Sequence, residues 1–410
     1  MEVVFDRCCG LDVHKQTVVA CLLTGSGRRA RRVIRTFSTF SSSLEELVDW
    51  LLSEQCTHVG MESTGVYWMP IYTVLEGRGL ELVVGNARHI RNVPGRKTDV
   101  KDAEWIAKLV RHGLISASFV PDASQRELRD FTRYRKALVQ DRTGQRNRLS
   151  KLLEQANIKL GSVVSDVFGK SGWAMLEAIV ADDRSAEDIA DLARGRLRSK
   201  RPELLLALDG RVREHHRRLL KLQMEALADI DRRIAAVEQD IDRLVATHAE
   251  SKALLETIPG IGPTVAAAVL AEVGPNVDAF RSEAALAAWA GLCPGNNESA
   301  GKTVGNRKRR GNTHLKAMLT EAAHAAIRVR DTYFRAKFFR LKARRGYRRA
   351  LLAIAHKIIR AIYIVLSRRE DFVDLGETYL DQLAQKRLVR QSVRRLEALG
   401  FEVKLEERPA

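Results

Sequence analysis

The first 120 residues alternate between strand-like and helix-like apolar patterns. CCGLDVHKQTVVACLL reads as a strand, a polar break and a second strand, and RRVIRTFST as a third. SSSLEELVDWLLS has serines to cap it, an acidic first turn and apolar residues at helical spacing, so it is predicted helical. THVGMEST is a short buried strand ending in a turn, GVYWMPIYTVLEGRG a helix closing on glycines, and LELVVGN another strand. After a basic loop, TDVKDAEWIAKLVRHG starts a helix with Thr98 as a plausible N-cap. Strands first, then strands alternating with helices, is the order expected of an RNase H-like α/β domain.

From about residue 121 the pattern changes to long, Arg-rich helices. Arg126, Arg129, Arg133, Arg135, Lys136, Arg142, Arg146, Arg148 and Lys151 fall in one stretch. Residues 155–200 are less periodic and read as helix with breaks at Gly161, Gly169 and Gly172. A heptad seam follows: Leu227, Ile230, Ile234, Val237, Ile241 and Leu244. It is short, so an intramolecular helix pair and a dimer zipper both remain open. Ile258-Pro259-Gly260-Ile261-Gly262 links two short helices, with Pro263 placed to open the second. This is a helix-hairpin-helix pattern, whose glycines let backbone N–H groups approach a DNA phosphate. An ordinary tight turn between helices fits the same residues. An alanine-rich helix, a polar loop, Arg- and Lys-rich helices and an amphipathic tail complete the chain. The expected class is thus α/β plus α. Residues 1–120 are expected to form the RNase H-like domain and 121–250 a helical and coiled-coil middle. Residues 251–375 form a mainly helical third domain, and 376–410 a helical tail.

Charge narrows the function. Sixty-nine Lys and Arg against 51 Asp and Glu give a net charge of +18. A folded chain this basic, with arginines clustered, usually meets a polyanion, because binding phosphates releases condensed counterions. Arg133, Arg142 and Arg146 are the expected backbone contacts on the first cluster, and 328–349 is a second basic segment, both for nucleic acid and at least in part for RNA. The five cysteines make no CxxC pair or zinc spacing and fit a reducing cytoplasm. The N-terminus does not read as a signal peptide, and no apolar stretch reads as long enough to cross a bilayer. A cytoplasmic protein at the nucleoid, with no membrane partner, is therefore expected.

Four carboxylates stand where an RNase H-like domain would hold metal. Asp12 lies on the first strand in GLDVHK, and Glu62 ends a later strand in GMESTG. Asp99 and Asp102 lie in KTDVKDAEW, on one face at the start of a helix. Two divalent ions need several oxygen ligands from different elements, and this set could supply them. Helix-start acids are favoured by the dipole alone, and Glu62 could be a turn residue. Asp12, in an apolar strand, is expensive unless it is paired or ligates metal. The four are expected to converge, slightly splayed where no metal neutralises them.

The polar loop GLCPGNNESAGKTVGNRKRRGN carries Ser299, next to Glu298 and ahead of Arg307, Lys308, Arg309 and Arg310. Its Gly301-Lys302-Thr303 suggests a nucleotide P-loop, but five residues separate Gly295 from Gly301 where that motif needs four. A serine hydroxyl among cations could attack a phosphodiester, although most serines in polar loops are merely solvated.

At these residues the chain resembles the insertion-sequence transposases of the IS-one-ten (IS110) family, also described as DEDD transposases or bridge-RNA-guided recombinases. GLDVHK, ESTGVYW and KTDVKDAEWIAKLVRHGLI resemble the family's RuvC-type domain. LLETIPGIG, AAWAGLCPGNNESAGK and the HKIIRAIY helix resemble its C-terminal transposase domain. The resemblance implies that Asp12, Glu62, Asp99 and Asp102 hold Mg2+ or Mn2+, and that Ser299 forms a covalent phosphoserine link with DNA. It implies a non-coding guide RNA pairing with donor and target DNA. It also implies a homo-oligomer, dimer or tetramer, in which the two domains make a composite site. In place of Gly and further small residues, Ala300, Gly301, Lys302 and Thr303 follow the serine, which makes Thr303 the alternative nucleophile. Gly260, Gly262, Lys302 and Arg307 to Arg310 are the remaining expected nucleic-acid contacts. The competing readings are a metal-dependent nuclease without a covalent intermediate, a non-catalytic nucleic-acid-binding protein, and, less well supported, a DNA glycosylase.

Overall fold

The computed structural model describes residues 2–25, 31–87, 90, 102–293, 297–299, 302–305, 311–400 and 402–404. The chain divides into two compact units, Met1–Pro121 and Asp122–Ala410.

The first unit is a five-stranded mixed sheet with helices on both faces. Its strands are β1 (Arg7–Val13), β2 (Thr17–Thr24), β3 (Arg31–Ser38), β4 (His58–Glu62) and β5 (Glu81–Gly85), in the order β3-β2-β1-β4-β5. β1, β2 and β3 form an antiparallel meander, whereas β4 and β5 run parallel to β1. Helices α1 (Ser41–Ser53) and α2 (Trp68–Leu75) make the crossovers that parallel pairing requires. Side-chain alternation then assigns the faces. Cys9, Leu11, Val59 and Met61 pack with α1 and α2. Cys8 packs on the opposite face with α3 (Asp102–Arg111), which presents Ala103, Ile106, Ala107 and Val110. One local expectation is corrected at α1: its N-cap is Phe40, with no side-chain cap and no acid in the first turn. Ser43 Oγ instead accepts the Ser38 N–H from the preceding strand, at 3.1 Å. Thr98, expected to cap α3, lies outside the described residues.

Among the described residues, the second unit is helical apart from one hairpin. It begins with the 33-residue α4 (Ala123–Gln155), followed by α5 (Leu160–Val163), α6 (Lys170–Ala181), α7 (Ala186–Ala190) and α8 (Arg201–Leu208). The 32-residue α9 (Glu214–Val245) returns along α4. Arg135 pairs with Glu238 and Arg142 with Asp231, so the two helices run antiparallel. The heptad seam is thereby used within the chain: Leu227, Ile234, Val237 and Ile241 are buried on α9. Next come α10 (Ala249–Glu256), α11 (Pro263–Val273), α12 (Glu283–Trp289) and the hairpin strands β6 (Asn297–Ser299) and β7 (Lys302–Gly305). The stretch expected to be loop around Ser299 thus contains antiparallel strands, with Ser299 opposite Lys302 and Glu298 opposite Thr303.

The unit ends with α13 (Thr313–Ala326), α14 (Tyr333–Arg345), α15 (Tyr347–Arg368) and α16 (Tyr379–Ala398). α15 corrects the reading that no apolar stretch is long enough to span a bilayer. It has 22 residues and a window of mean hydropathy 1.8, so it passes by length and composition. Its apolar side is buried in the protein, through Ala350, Leu351, Ile354, Ile358, Ile362 and Val365 among others, against α13, α14 and α12. It is a core helix of this unit, and the same apolar density serves that purpose.

Candidate active site and nucleic-acid interface

The acid site starts from two glycines. Gly10 and Gly60 are register partners on β1 and β4 and face α3. A Cβ on Gly10 would stand 2.2 Å from Ala107 N and 2.3 Å from Ala103 O. One on Gly60 would stand 2.2 Å from a Val110 methyl. The missing side chains let α3 lie directly on the sheet. Two residues further along each strand, on the same face by strand alternation, come Asp12 and Glu62. Because β1 and β4 are parallel, with Leu11 opposite Met61, these acids reach the same carboxyl edge. Asp102 is the first residue of α3, one before the Ala103 carbonyl that sits over Gly10. Sheet register and helix seating together thus bring Asp12, Glu62 and Asp102 to one edge. Asp99 lies outside the described residues.

The electrostatics agree with that placement. Burial raises the Asp12 carboxyl above its ordinary value, opposed by His14, whose charge lowers it, and assisted by the charges of Asp102 and Glu62. His14 Nε2 hydrogen-bonds Asp12 Oδ2 at 3.1 Å, and the Thr64 hydroxyl donates to Glu62 Oε1. A fifth nearby acid, Glu104, is taken up by Arg32 and Lys108, each at 2.7 Å, and has a structural task. An all-oxygen set in which one carboxylate feels two others suits a hard divalent cation. Among the described residues, no three His, Cys, Asp or Glu side chains stand close enough to hold an ion as they are placed.

In the second unit, several arginines of the Arg-rich helix have partners within the protein. Arg133 makes two hydrogen bonds to Glu272, at 2.8 and 2.9 Å, and Arg129 donates to the Ala271 and Glu272 carbonyls at 3.1 and 2.9 Å. Arg142 reaches Asp231 at 3.3 Å, and Arg146 lies over the Phe168 ring, 5.2 Å from its centroid. Much of this charge binds α4 to α9 and α11 and is committed within the protein. The segment 328–349 differs: among the described residues its only ion pair joins Arg340 to Asp381, and residues 342–349 are exposed.

The two hairpin glycines also separate. Gly260 has φ +91°, and a Cβ there would lie 2.3 Å from Ala322 O and 2.7 Å from Ala326 N on α13. It therefore serves packing against α13. Gly262 has nothing within 4 Å of its would-be Cβ and leaves the start of α11 open. Beside it lies a cavity of about 340 Å³ lined by Lys136, Thr264 and His314 among others. Burial and the charge of Arg133 lower the His314 pKa. Lys302 lies on β7, whereas Arg307, Lys308, Arg309 and Arg310 lie outside the described residues.

Sequence reasoning missed Glu272. It is a carboxylate inside the apolar run AAAVLAEVG. The argument that singled out Asp12, an acid where burial is costly, applies to it equally.

Comparison with known proteins gives these features a class. The model for the DEDD transposases of IS110 matches residues 9–158. The model described as "Transposase IS116/IS110/IS902 family" matches residues 252–338. A Pseudomonas aeruginosa protein described as "Probable family 20 transposase" is 29% identical over 280 residues, covering 67% of this chain and 74% of the relative. The Coxiella burnetii transposase for insertion sequence element IS1111A is 26% identical over 373 residues, 88% of this chain and 90% of the relative. A Streptomyces coelicolor protein, "Insertion element IS110 uncharacterized 43.6 kDa protein", is 32% identical over 133 residues, 32% of each chain. The protein is thus a transposase, an enzyme that processes DNA. Two models of one family match separate segments, 9–158 and 252–338, and the chain belongs to the IS110 family of insertion-element transposases.

Proposed function

We propose that this transposase cuts and rejoins DNA through Ser299, assisted by a metal-binding acid set on an RNase H-like sheet, and is guided by a non-coding RNA within a homo-oligomer. The observation that carries the acid half is the arrival of Asp12, Glu62 and Asp102 at one carboxyl edge, with Asp12 raised by burial and by its two acidic neighbours. Asp12, Glu62, Asp99 and Asp102 would hold the ion. When bound, Mg2+ or Mn2+ would supply Lewis-acid stabilisation of charge developing on a phosphodiester oxygen. His14 orients Asp12, and the Gly10–Gly60 row keeps α3 seated so that Asp102 stays at the edge.

For the serine half, support comes from the position of Ser299 at the end of β6, on a hairpin followed by a basic run. Its oxygen would form a new ester bond to phosphorus while one phosphorus–sugar ester bond breaks. The serine proton would pass to a base and the departing sugar oxygen would gain a proton. Attack by a second sugar hydroxyl would reverse the step and free the serine. Backbone contacts fit the open start of α11 at Gly262, with Lys136 beside it, and the exposed segment 328–349.

The experiment is to trap the reaction on labelled DNA carrying the element's own end and look for a covalent adduct. Ser299→Ala is expected to lose the adduct and Thr303→Ala to keep it. Asp12→Asn is expected to lose strand cleavage while leaving nucleic-acid binding largely intact. Cleavage by the wild-type protein with no adduct would replace the serine mechanism by a metal-only nuclease.

A further inference from the structure

Gly291 and Gly311, which flank the Ser299 hairpin in sequence, form a closed neck. Gly311 lies against Gly291: a Cβ on Gly311 would stand 2.3 Å from Gly291 N and 2.7 Å from Trp289 O. The Asn312 N–H donates to Trp289 O at 3.0 Å, and Lys316 Nζ donates to Gly291 O at 2.8 Å. The two ends of the 291–311 excursion are therefore fixed to each other.

Asn312 then ties the neck to the rest of the unit. Its Oδ1 caps α13 by accepting from His314 N and Leu315 N, at 3.1 and 3.0 Å. Its Nδ2 donates to Glu272 Oε2 at 2.6 Å. The Glu272 side chain is only 3% exposed, and it also receives both Arg133 hydrogen bonds and the Arg129 guanidinium at 3.3 Å. One buried carboxylate on α11 thus joins two arginines of α4 to the first residue after the excursion. An apolar contact would hold these helices together at least as well, because buried ion pairs are costly to desolvate. What the charged cluster adds is direction: Glu272 Oε1 accepts from one Arg133 N–H, and Oε2 accepts from the other and from the Asn312 amide.

We propose that Glu272 is a positioning residue: through Asn312 it fixes the neck, and hence the approach, of the hairpin bearing Ser299. The inference rests on the reading of Ser299 as nucleophile. Glu272 itself touches no reacting atom.

The test uses the full-length protein. Asn312→Ser keeps a good helix cap but has no amide to reach Glu272. Hydrogen exchange is measured in peptides covering 291–312, together with the rate of adduct formation on the labelled element end, DNA affinity and Tm. Loss of one hydrogen bond to a charged group should speed exchange in the neck and slow adduct formation by about tenfold each, with DNA affinity within about twofold of wild type. Glu272→Gln should show the same pattern more strongly, with a lower Tm. Unchanged exchange and unchanged adduct rate in Asn312→Ser would overturn the proposal. So would faster exchange with a normal adduct rate, or an adduct rate that falls only in step with Tm and affinity. If wild type cleaves without any adduct, the serine reading fails and with it the positioning role. The exchange data then report separately whether Glu272 fixes the neck.

Discussion

Replacing Gly260 by alanine separates two meanings of the glycine turn. The new Cβ would lie 2.3 Å from Ala322 O, 2.7 Å from Ala326 N and 2.8 Å from Ala326 Cβ. Two of those atoms belong to the backbone of α13, so no side chain can swing away. The backbone adds a second cost, because φ is +91° and an L-residue there is strained by roughly 1–2 kcal/mol. Overpacking of a tight contact costs about 1–3 kcal/mol. Together the substitution should cost roughly 2–5 kcal/mol. At about 2–4 °C per kcal/mol for a unit of this size, Tm should fall on the order of 4–20 °C. Gly262→Ala is the control. Its Cβ would meet nothing within 4 Å and its φ is −100°. A gain of about 0.4–1 kcal/mol from the unfolded chain offsets a comparable loss at the helix cap, so its stability should barely move. Thermal melts of both variants, with DNA affinity measured well below either Tm, decide the matter. A Gly260→Ala protein as stable as wild type would refute the close approach to α13. Gly262→Ala should weaken DNA binding at unchanged Tm if the open start of α11 meets phosphate.

Two further outcomes follow from charge. Replacing Arg344, Arg345, Arg348 and Arg349 together by Ala should lower the slope of log affinity against log salt by up to about 0.9 for each phosphate no longer neutralised, at nearly constant Tm; an unchanged slope would remove 328–349 from the interface. The same experiment on Arg133 would mix binding with folding, because it strips a partner from buried Glu272. Burial pushes the Glu272 carboxyl up, but the hydrogen bonds and charges of Arg133, the charge of Arg129 and the Asn312 amide outweigh it and hold the carboxyl below its ordinary 4.5. Its contribution to stability is therefore complete above that value and falls away as pH drops through the depressed folded value. The Tm difference between wild type and Glu272→Gln should be constant at neutral pH and shrink on acidification below 4.5. A difference that persists unchanged to about pH 3 would contradict this.

Much of this protein was readable from local pattern. The short apolar runs at Cys8–Val13 and Thr17–Thr24, parted by a polar break, gave the strands, because an apolar run of strand length reports burial without reference to any partner. The spacing of Leu227 to Ile241 gave the buried stripe of α9 for the same reason. Gly10 and Asp12, like Gly60 and Glu62, are two residues apart, so sharing a face was written into the chain. That the two pairs stand side by side was not. It depends on the parallel pairing of β1 with β4, made by residues about fifty apart in sequence.

Arginine was the least legible residue. A cationic run looks the same in sequence whether it meets phosphate or carboxylate, since partners such as Glu238, Asp231 and Glu272 lie about ninety or more residues away. Tertiary structure assigned Arg129, Arg133, Arg135 and Arg142 to internal partners and left 342–349 exposed. It likewise gave Gly260 to α13 and Gly262 to solvent, although both belong to one motif. The sequence by itself determined periodicity, turn chemistry and net charge, because these act between residues a few positions apart. Tertiary structure alone decided which charges are already neutralised and which glycine touches another helix, because both depend on which distant element folds against them.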